Sequence, residues 1–247
     1  MSPDLELALR LADAADAISL PRFRSGLAIE TKPDLTPVTE ADRAVESELR
    51  RMLATERPAD SVLGEEQGAS AGGDRRWLLD PIDGTRNYAR GIPIWATLIA
   101  LEDSDAVRLG VVSAPALGRR WWAERGSGAY AGGEPTRVSA ISNVEDAVLS
   151  FPFENRVPAL AHRAWHARGL GDFWAHMLVA EGAVDGAVDA TGLREWDLAA
   201  VQVIVEEAGG RFSDRAGRAR IDSGTAVTSN GLVHAELLAA MAEQAQT

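Results

Sequence analysis

The chain contains no cysteine among its 247 residues. That absence excludes disulfides, thiolate nucleophiles and thiolate metal sites together, and it is compatible with a reducing compartment. No apolar run approaches the roughly 20 residues that a bilayer span requires. The N-terminal Met1-Ser2-Pro3-Asp4 is acidic and lacks the basic-then-apolar order of a secretory signal, so a cytoplasmic protein is expected. Positive charge is scarce: 25 Lys and Arg against 37 Asp and Glu leave a formal net charge of -12. This balance argues against a nucleic-acid backbone or an anionic membrane as partner, although a negative surface also serves solubility alone. Internal repeats, low-complexity tracts and flexible linkers are missing too. What remains, 46% hydrophobic and 25% charged residues, suits a globular protein with a substantial core.

Periodicity supplies a coarse outline. Apolar residues at helical spacing predict an amphipathic helix over residues 4–24. Two prolines make Lys32–Pro37 a loop. Thr39 opens a second helix, with Asp42 three residues on in a capping-box-like arrangement. Ser61-Val62-Leu63 reads as a strand leading into Gly64-Glu65-Glu66. The Gly-rich stretch from Gln67 to Asp74 reads as a loop and a candidate mobile lid. Glycine-containing turns then separate strands at 95–101, 107–113 and 119–124, as in adjacent antiparallel strands. Trp121-Trp122 places one ring in the core and one outside. A strand is expected at 147–151, helices at 160–168 and 173–181, and a strand at 184–188. A helix over 197–208 stops at Gly209-Gly210, and a last one covers 232–245. Mixed helices and sheets without a linker predict two sub-domains of one compact unit, residues 1–135 and 136–247, with the acidic motifs meeting at their junction.

The most informative segment is Trp77-Leu78-Leu79-Asp80-Pro81-Ile82-Asp83-Gly84-Thr85. A buried strand ends in two carboxylates three residues apart, and a Gly-Thr turn follows. Pro81 cannot continue a central strand, so the chain is expected to leave the sheet there. Asp80, Asp83 and the Ile82 carbonyl then face one volume. If Glu65 and Asp197 converge on it, four carboxylates share a site, and they stay ionised together only beside cations. Mg²⁺ suits an all-oxygen donor set. The backbone N–H groups of Gly84 and Thr85 suit phosphate. Together these elements point to metal-assisted phosphoryl transfer to water.

Plainer readings exist for single residues. Asp42 serves as a helix-cap residue, Asp197 as an N-cap, and Glu66 as a solvated neighbour of Glu65 or a base behind it. His162 and His166, four apart on an expected helix, resemble half of a zinc site, but no His-Glu-x-x-His pattern or third ligand accompanies them. Ser150 and Ser229 lack a nucleophile-elbow context, which favours a water nucleophile. The seven Trp residues read as core anchors.

The chain resembles the inositol monophosphatase family over nearly its full length. Asp80-Pro81-Ile82-Asp83-Gly84-Thr85 looks like the family's first signature, Trp196-Asp197 through Glu207-Ala208-Gly209-Gly210 like its second, and Gly64-Glu65-Glu66 matches at suitable spacing. The resemblance implies an α/β (α+β) fold, a layered αβαβα sandwich, usually in a homodimer. It implies Glu65, Asp80, the Ile82 carbonyl, Asp83 and Asp197 as ligands of two or three Mg²⁺ ions. Gly84 and Thr85 would hold phosphate, while Thr85, Asp42 and Glu65 would order the attacking water. Sensitivity to Li⁺ is expected by analogy. Within the family, Asn87–Thr97, Gly171-Asp172-Phe173-Trp174 and Ala180–Asp185 look most like the bacterial histidinol-phosphate phosphatase branch. Inositol phosphatases typically carry a Glu seven residues before the second-motif Asp. Here that position is Ala190, with Asp189 beside it and Glu195 nearer the motif. Asp189 is expected to meet the substrate's ammonium, with Glu195 a further candidate for substrate contact.

The expected activity is hydrolysis of L-histidinol phosphate to L-histidinol and phosphate, a late step of histidine biosynthesis. The alternative is a phosphatase for inositol 1-phosphate or a related sugar or nucleotide phosphate. A non-catalytic, acidic cation-binding protein is the reading from a different class, and the intact acidic set speaks against it.

Overall fold

A computed structural model describes residues 1–25, 29–31, 37–151, 159–189 and 192–244. Apart from Pro37, the expected loop at 32–37 lies outside these residues, as do Ala190 and position 245.

The N-terminal elements are α1 (Pro3–Arg22), β1 (Ile29–Thr31), β2 (Pro37–Thr39), α2 (Glu40–Glu56), β3 (Ser61–Gly64) and β4 (Gly68–Ala69). They continue with β5 (Arg76–Asp83), α3 (Thr85–Ala89), β6 (Ala96–Asp103), β7 (Ala106–Ala114), β8 (Arg119–Glu124), β9 (Ala129–Ala131) and β10 (Glu134–Thr136). Helix α1 starts where Ser2 accepts the Leu5 N–H, with Pro3 in the first turn, where its missing donor costs nothing. Helix α2 starts at the expected capping box, the Thr39 N–H donating to Asp42 Oδ2 at 2.8 Å. Strands β1 and β2 pair as a separate ribbon, and the other eight form one sheet in the order β10-β9-β8-β7-β6-β5-β3-β4.

The rest of the chain adds β11 (Val148–Ser150), α4 (Ala159–Arg163), β12 (His166–Arg168), α5 (Asp172–Ala180) and β13 (Gly186–Asp189). It ends with α6 (Glu195–Glu207), β14 (Arg211–Ser213), β15 (Ala226–Ser229) and α7 (His234–Gln244). Its five strands form a second sheet, β12-β11-β13-β15-β14.

Five layers result. Leu7, Leu11 and Leu49 of α1 and α2 pack on Trp77, Leu79, Ile99 and Val111 of the first sheet. The opposite face, with Leu78, Leu98 and Trp121, shares one core with Phe173 of α5, Leu198 and Ile204 of α6, and Ala226 of the second sheet. On the far side of that sheet, Leu149 and Val227 meet Leu160 and Leu237 of α4 and α7. The fold is therefore the expected αβαβα sandwich. Trp121 is fully buried, whereas its neighbour Trp122 is partly buried on the other face and stacks on Tyr130. Helix α6 seats directly on β7: a Cβ at Gly110 would lie 2.7 Å from Ala200 Cα.

One irregularity positions the acidic motif. Asp80 pairs with Leu98 and Asp83 with Ala96, so Pro81 and Ile82 together oppose Thr97, and the Thr97 hydroxyl donates to the Pro81 carbonyl at 2.8 Å. In a regular strand, residues three apart point to opposite faces. The extra residue of this bulge changes that parity and lets both carboxylates face one way. The strand thus continues to Asp83 instead of ending at Pro81. Proline is tolerated because β3, the other neighbour of β5, pairs only as far as Leu79.

Two further expectations change. The helix expected over 160–168 stops at Arg163, because His166–Arg168 pairs in parallel with Val148–Ser150 as an edge strand. His162 and His166 consequently share no helix face. The Gln67–Asp74 stretch contains β4, and the Ser70 N–H to Val62 C=O (2.8 Å) and Gly73 N–H to Ala59 C=O (2.8 Å) bonds tie it to the sheet edge. That bonding is unlike a loose lid.

Candidate active site

Strand β5 delivers Asp80 and Asp83, and the first turn of α6 delivers Asp197. Carboxylate oxygens of these three lie within 4.8 Å of one another. Asp80 is buried and the other two are partly exposed. Asp197 occupies the third helical position, not the N-cap. It accepts the Arg194 N–H at 2.6 Å, which fixes the carboxylate over the start of its own helix. Asp83 accepts the Phe173 N–H of α5 at 2.6 Å. Each of these two carboxylates thus has a helix N-terminus beside it, where negative charge is favoured.

Those donors do not neutralise the cluster. Burial, reinforced by the charges of Glu65, Asp83 and Asp197, pushes the Asp80 carboxyl well above the usual carboxylate range. Burial and then the charge of Asp172 do the same to Asp83. Asp197 is raised to about 7, by burial first, against the pull of the Arg194 N–H. Asp80 Oδ1 is buried without a hydrogen-bond partner. An orphaned carboxylate oxygen beside two further carboxylates fits a hard divalent cation of the Mg²⁺ class, which takes oxygen donors alone. Glu65 sits at the end of β3, its N–H donating to Leu79 C=O at 3.2 Å, and its charge acts on Asp80, Asp197 and Asp42.

Gly84 follows with a left-handed backbone, φ +79°, where a Cβ would meet the Ile94 carbonyl at 3.0 Å. Glycine is required on both counts. The bonding of α3 begins with the Tyr88 N–H donating to Gly84 C=O, so the turn presents the preceding N–H groups outward. The Thr85 hydroxyl lies 3.0 Å from Ile82 C=O and 3.3 Å from Asp42 Oδ1, and its single proton serves one of them at a time. Asp42 is fully buried, and burial pushes its carboxyl up despite the bonds from Thr39. The helix-cap and site readings of Asp42 are therefore compatible. Phe23, Tyr88 and Trp95 pack under this turn with Ile82 and Ala41.

Two residues that hold this geometry, Glu46 and Asn87, were given no role in the sequence reading. Glu46, one helical turn after Asp42 and fully buried, accepts the Glu66 N–H (2.7 Å) and the Gln67 N–H (3.0 Å) and pairs with Arg50 (2.8 Å). It thereby holds the segment carrying Glu65, and a Cβ at Gly64 would strike its carboxylate. The Asp42/Glu46/Arg50 spacing of four was the available signal. Asn87 donates to Ile94 C=O (2.8 Å) and to Asp172 Oδ2 (3.1 Å), joining the Gly84 turn to α5.

Other candidates lie elsewhere. Asp189 ends β13, and its charge reaches Asp83. Glu195 pairs with Arg76 at 2.8 Å. Being two residues from Asp197 puts it on the opposite side of α6. Ser150 accepts the Leu170 N–H, and Ser229 bonds the buried His234. Both hydroxyls have packing roles there.

Comparison with known proteins agrees with this geometry. The chain is 50% identical to a histidinol-phosphatase of Mycobacterium tuberculosis, the match covering 95% of this chain and 96% of that protein. It is 48% identical to a histidinol-phosphatase of Streptomyces coelicolor, with 95% of each covered. Among solved structures, an IMPase from Thermotoga maritima superposes with a TM-score of 0.91 at 31% identity, covering 99% of both chains. The profile of the inositol monophosphatase family matches residues 1–247. With the acidic cluster, the glycine turn and the five-layer fold all in place, the chain belongs to the inositol monophosphatase family.

Proposed function

We propose that the protein is a Mg²⁺-dependent phosphomonoesterase that hydrolyses L-histidinol phosphate to L-histidinol and phosphate. The observation that carries this reading is the convergence of Asp80, Asp83 and Asp197 beside the Gly84-Thr85 turn, in a chain about half identical to two histidinol-phosphatases. Asp80, Asp83, Asp197, Glu65 and the Ile82 carbonyl would hold the ions. When bound, Mg²⁺ supplies positive charge to the phosphoryl oxygens and to the departing alkoxide.

The chain's own groups do the rest. The N–H groups of Gly84 and Thr85 bind the phosphate. When the Thr85 hydroxyl donates to Asp42, its lone pairs face outward and accept a hydrogen bond from a water, turning that water's own lone pair toward phosphorus. Glu65 takes the second position beside the same water and receives its proton as the new bond to phosphorus forms and the ester P–O bond breaks, and the departing alkoxide takes a proton from solvent. The carboxylate of Asp189 meets the cationic amine of the substrate.

The proposal extends to a homodimer in the cytoplasm and to a division into residues 1–135 and 136–247. Two separate sheets sharing one core support that division. Among the described residues, no helix is long and apolar enough to cross a membrane.

The test is phosphate release from L-histidinol phosphate and inositol 1-phosphate, side by side, with Mg²⁺ and with chelator. Mg²⁺-dependent release with a strong preference for histidinol phosphate is expected. Preference for inositol 1-phosphate would overturn the substrate, and absence of release from any ester would overturn the enzyme.

A further inference from the structure

Asp172 stands out in the neighbourhood of the site. It is the first residue of α5 and has φ +49°, directly after Gly171 at φ +61°. Only a small fraction of non-glycine residues adopt this left-handed backbone, and glycine does so without steric cost. Its carboxylate is aimed at the phosphate turn. Oδ2 lies 3.4 Å from where a Cβ on Gly84 would sit, and Asn87 Nδ2 holds it there at 3.1 Å. The next residue's N–H binds Asp83. Of the neighbouring charges that push the Asp83 carboxyl upward, that of Asp172 is the strongest, ahead of Asp197 and Asp189.

Asp172 is not among the three residues whose oxygens cluster within 4.8 Å. Its place is beside the phosphate, where a carboxylate is a liability for an ordinary phosphomonoester: it repels the dianion that the turn binds. The repulsion is offset for a substrate with a positive charge next to its ester. In L-histidinol phosphate the ammonium sits on the carbon adjacent to the ester carbon, three bonds from the bridging oxygen. A phosphate held at Gly84-Thr85 leaves that group within short reach of the Asp172 side chain.

We propose that Asp172 is a specificity-determining residue, whose carboxylate receives the ammonium that the substrate carries beside its phosphate ester. The inference rests on the phosphatase reading above and deepens it. Asp172 selects for amino-alkyl phosphates in two ways, by attracting the ammonium and by repelling esters without one. Asp189, at the end of β13, is the second carboxylate proposed to meet that ammonium.

The experiment compares kcat/KM for L-histidinol phosphate and for glycerol 2-phosphate, which has no positive charge, in the full chain with saturating Mg²⁺. The variants are Asp172→Asn and Asp172→Gly, both compatible with the left-handed backbone. The ratio between the two substrates is expected to fall at least tenfold in both, mainly through a higher KM for histidinol phosphate. The melting temperature should hold or rise, because a like charge beside Asp83 is gone. A wild-type preference that survives unchanged in both folded variants would overturn this role for Asp172 and leave the phosphatase reading standing. A wild-type enzyme with no preference for histidinol phosphate would overturn both this role and the choice of substrate. A fall in kcat for both substrates with the ratio intact would assign Asp172 to the support of Asp83 instead.

Discussion

Glu46 and Asp80 are equally hidden from water, at 0% and 2% exposure, and they belong to neighbouring elements of the same layer pair. Glu46 is surrounded by donors: two backbone N–H groups and the Arg50 guanidinium. Asp80 has an oxygen without a partner and acidic groups on several sides. The first carboxylate is completed by the protein. The second keeps one buried oxygen for which the described residues supply no hydrogen-bond partner. Burial by itself thus says little about what an acid is for, whereas the sign of its neighbours says much.

Substitutions can break that contrast from either side. The largest effect is expected for Asp83→Asn. Mg²⁺-dependent phosphate release should drop by at least about 10³-fold, while the metal-free protein should melt at a higher temperature because one repelling charge is lost. A metal-free melting temperature below that of wild type would mean the cluster is already satisfied by the protein. Glu46→Ala should act in the opposite sense, destabilising the fold by about 3 kcal/mol with or without Mg²⁺, since it strands two N–H donors and Arg50. Chemical denaturation in both conditions checks this.

Mg²⁺ itself sharpens the comparison. At about a hundred times its Kd it should stabilise wild type by about 2.7 kcal/mol, chelator should reverse the gain, and Asp83→Asn should largely abolish it. Thermal melts along a Mg²⁺ titration provide the readout.

The pH dependence follows from the same charges. Asp197, raised to about 7 from 3.8, holds a proton in the folded state that the unfolded state has already lost. Its contribution to metal-free stability is therefore complete below the unfolded value and fades as pH rises toward neutrality. His176 and His234 work in the other direction. Burial lowers both to about 4 from 6.5, so the fold loses their contribution as pH falls through that window. Because the histidines respond alike with and without metal, the difference in melting temperature between the two conditions isolates the carboxylates. That difference should widen between about pH 5 and pH 8. A constant difference would contradict the assignment. The smallest effect is expected for Glu195→Gln. It breaks a partly exposed ion pair with Arg76, which keeps Glu102 as a partner, and should shift stability by less than about 1 kcal/mol; equilibrium unfolding would show it.

The sequence made the acidic motifs legible because each one lies within a few consecutive residues. Why Asp80 and Asp83 converge was not legible in the same way. Pro81 between them suggested an exit from the sheet, whereas the structure uses a bulge that depends on Ala96 to Leu98 across the ladder. Long helices were readable from their own periodicity, and Thr39-x-x-Asp42 was readable as a cap. The stretch after Arg163 was not, because His166–Arg168 becomes a strand only by pairing with Val148–Ser150, a tertiary decision. Glu46 was passed over, because residue type alone does not set it apart from the other acids of α2. Its role appears only when β3 arrives beside it. Asp172 lay in a stretch that the sequence singled out, Gly171-Asp172-Phe173-Trp174, but its left-handed backbone and its place beside Gly84 cannot be read from residue type.

Helix α6 has a consequence for the order of synthesis. It supplies Asp197, and it follows every strand of the eight-stranded sheet in the chain. A nascent polypeptide that has completed that sheet already carries Asp80, Asp83 and the Gly84 turn, yet it lacks the third carboxylate and the helix that covers the sheet's inner face. Every emerging chain therefore passes through a long stage with two of the three clustered acids made and the cluster incomplete. The three-carboxylate cluster is then completed in a single step, with the docking of one helix.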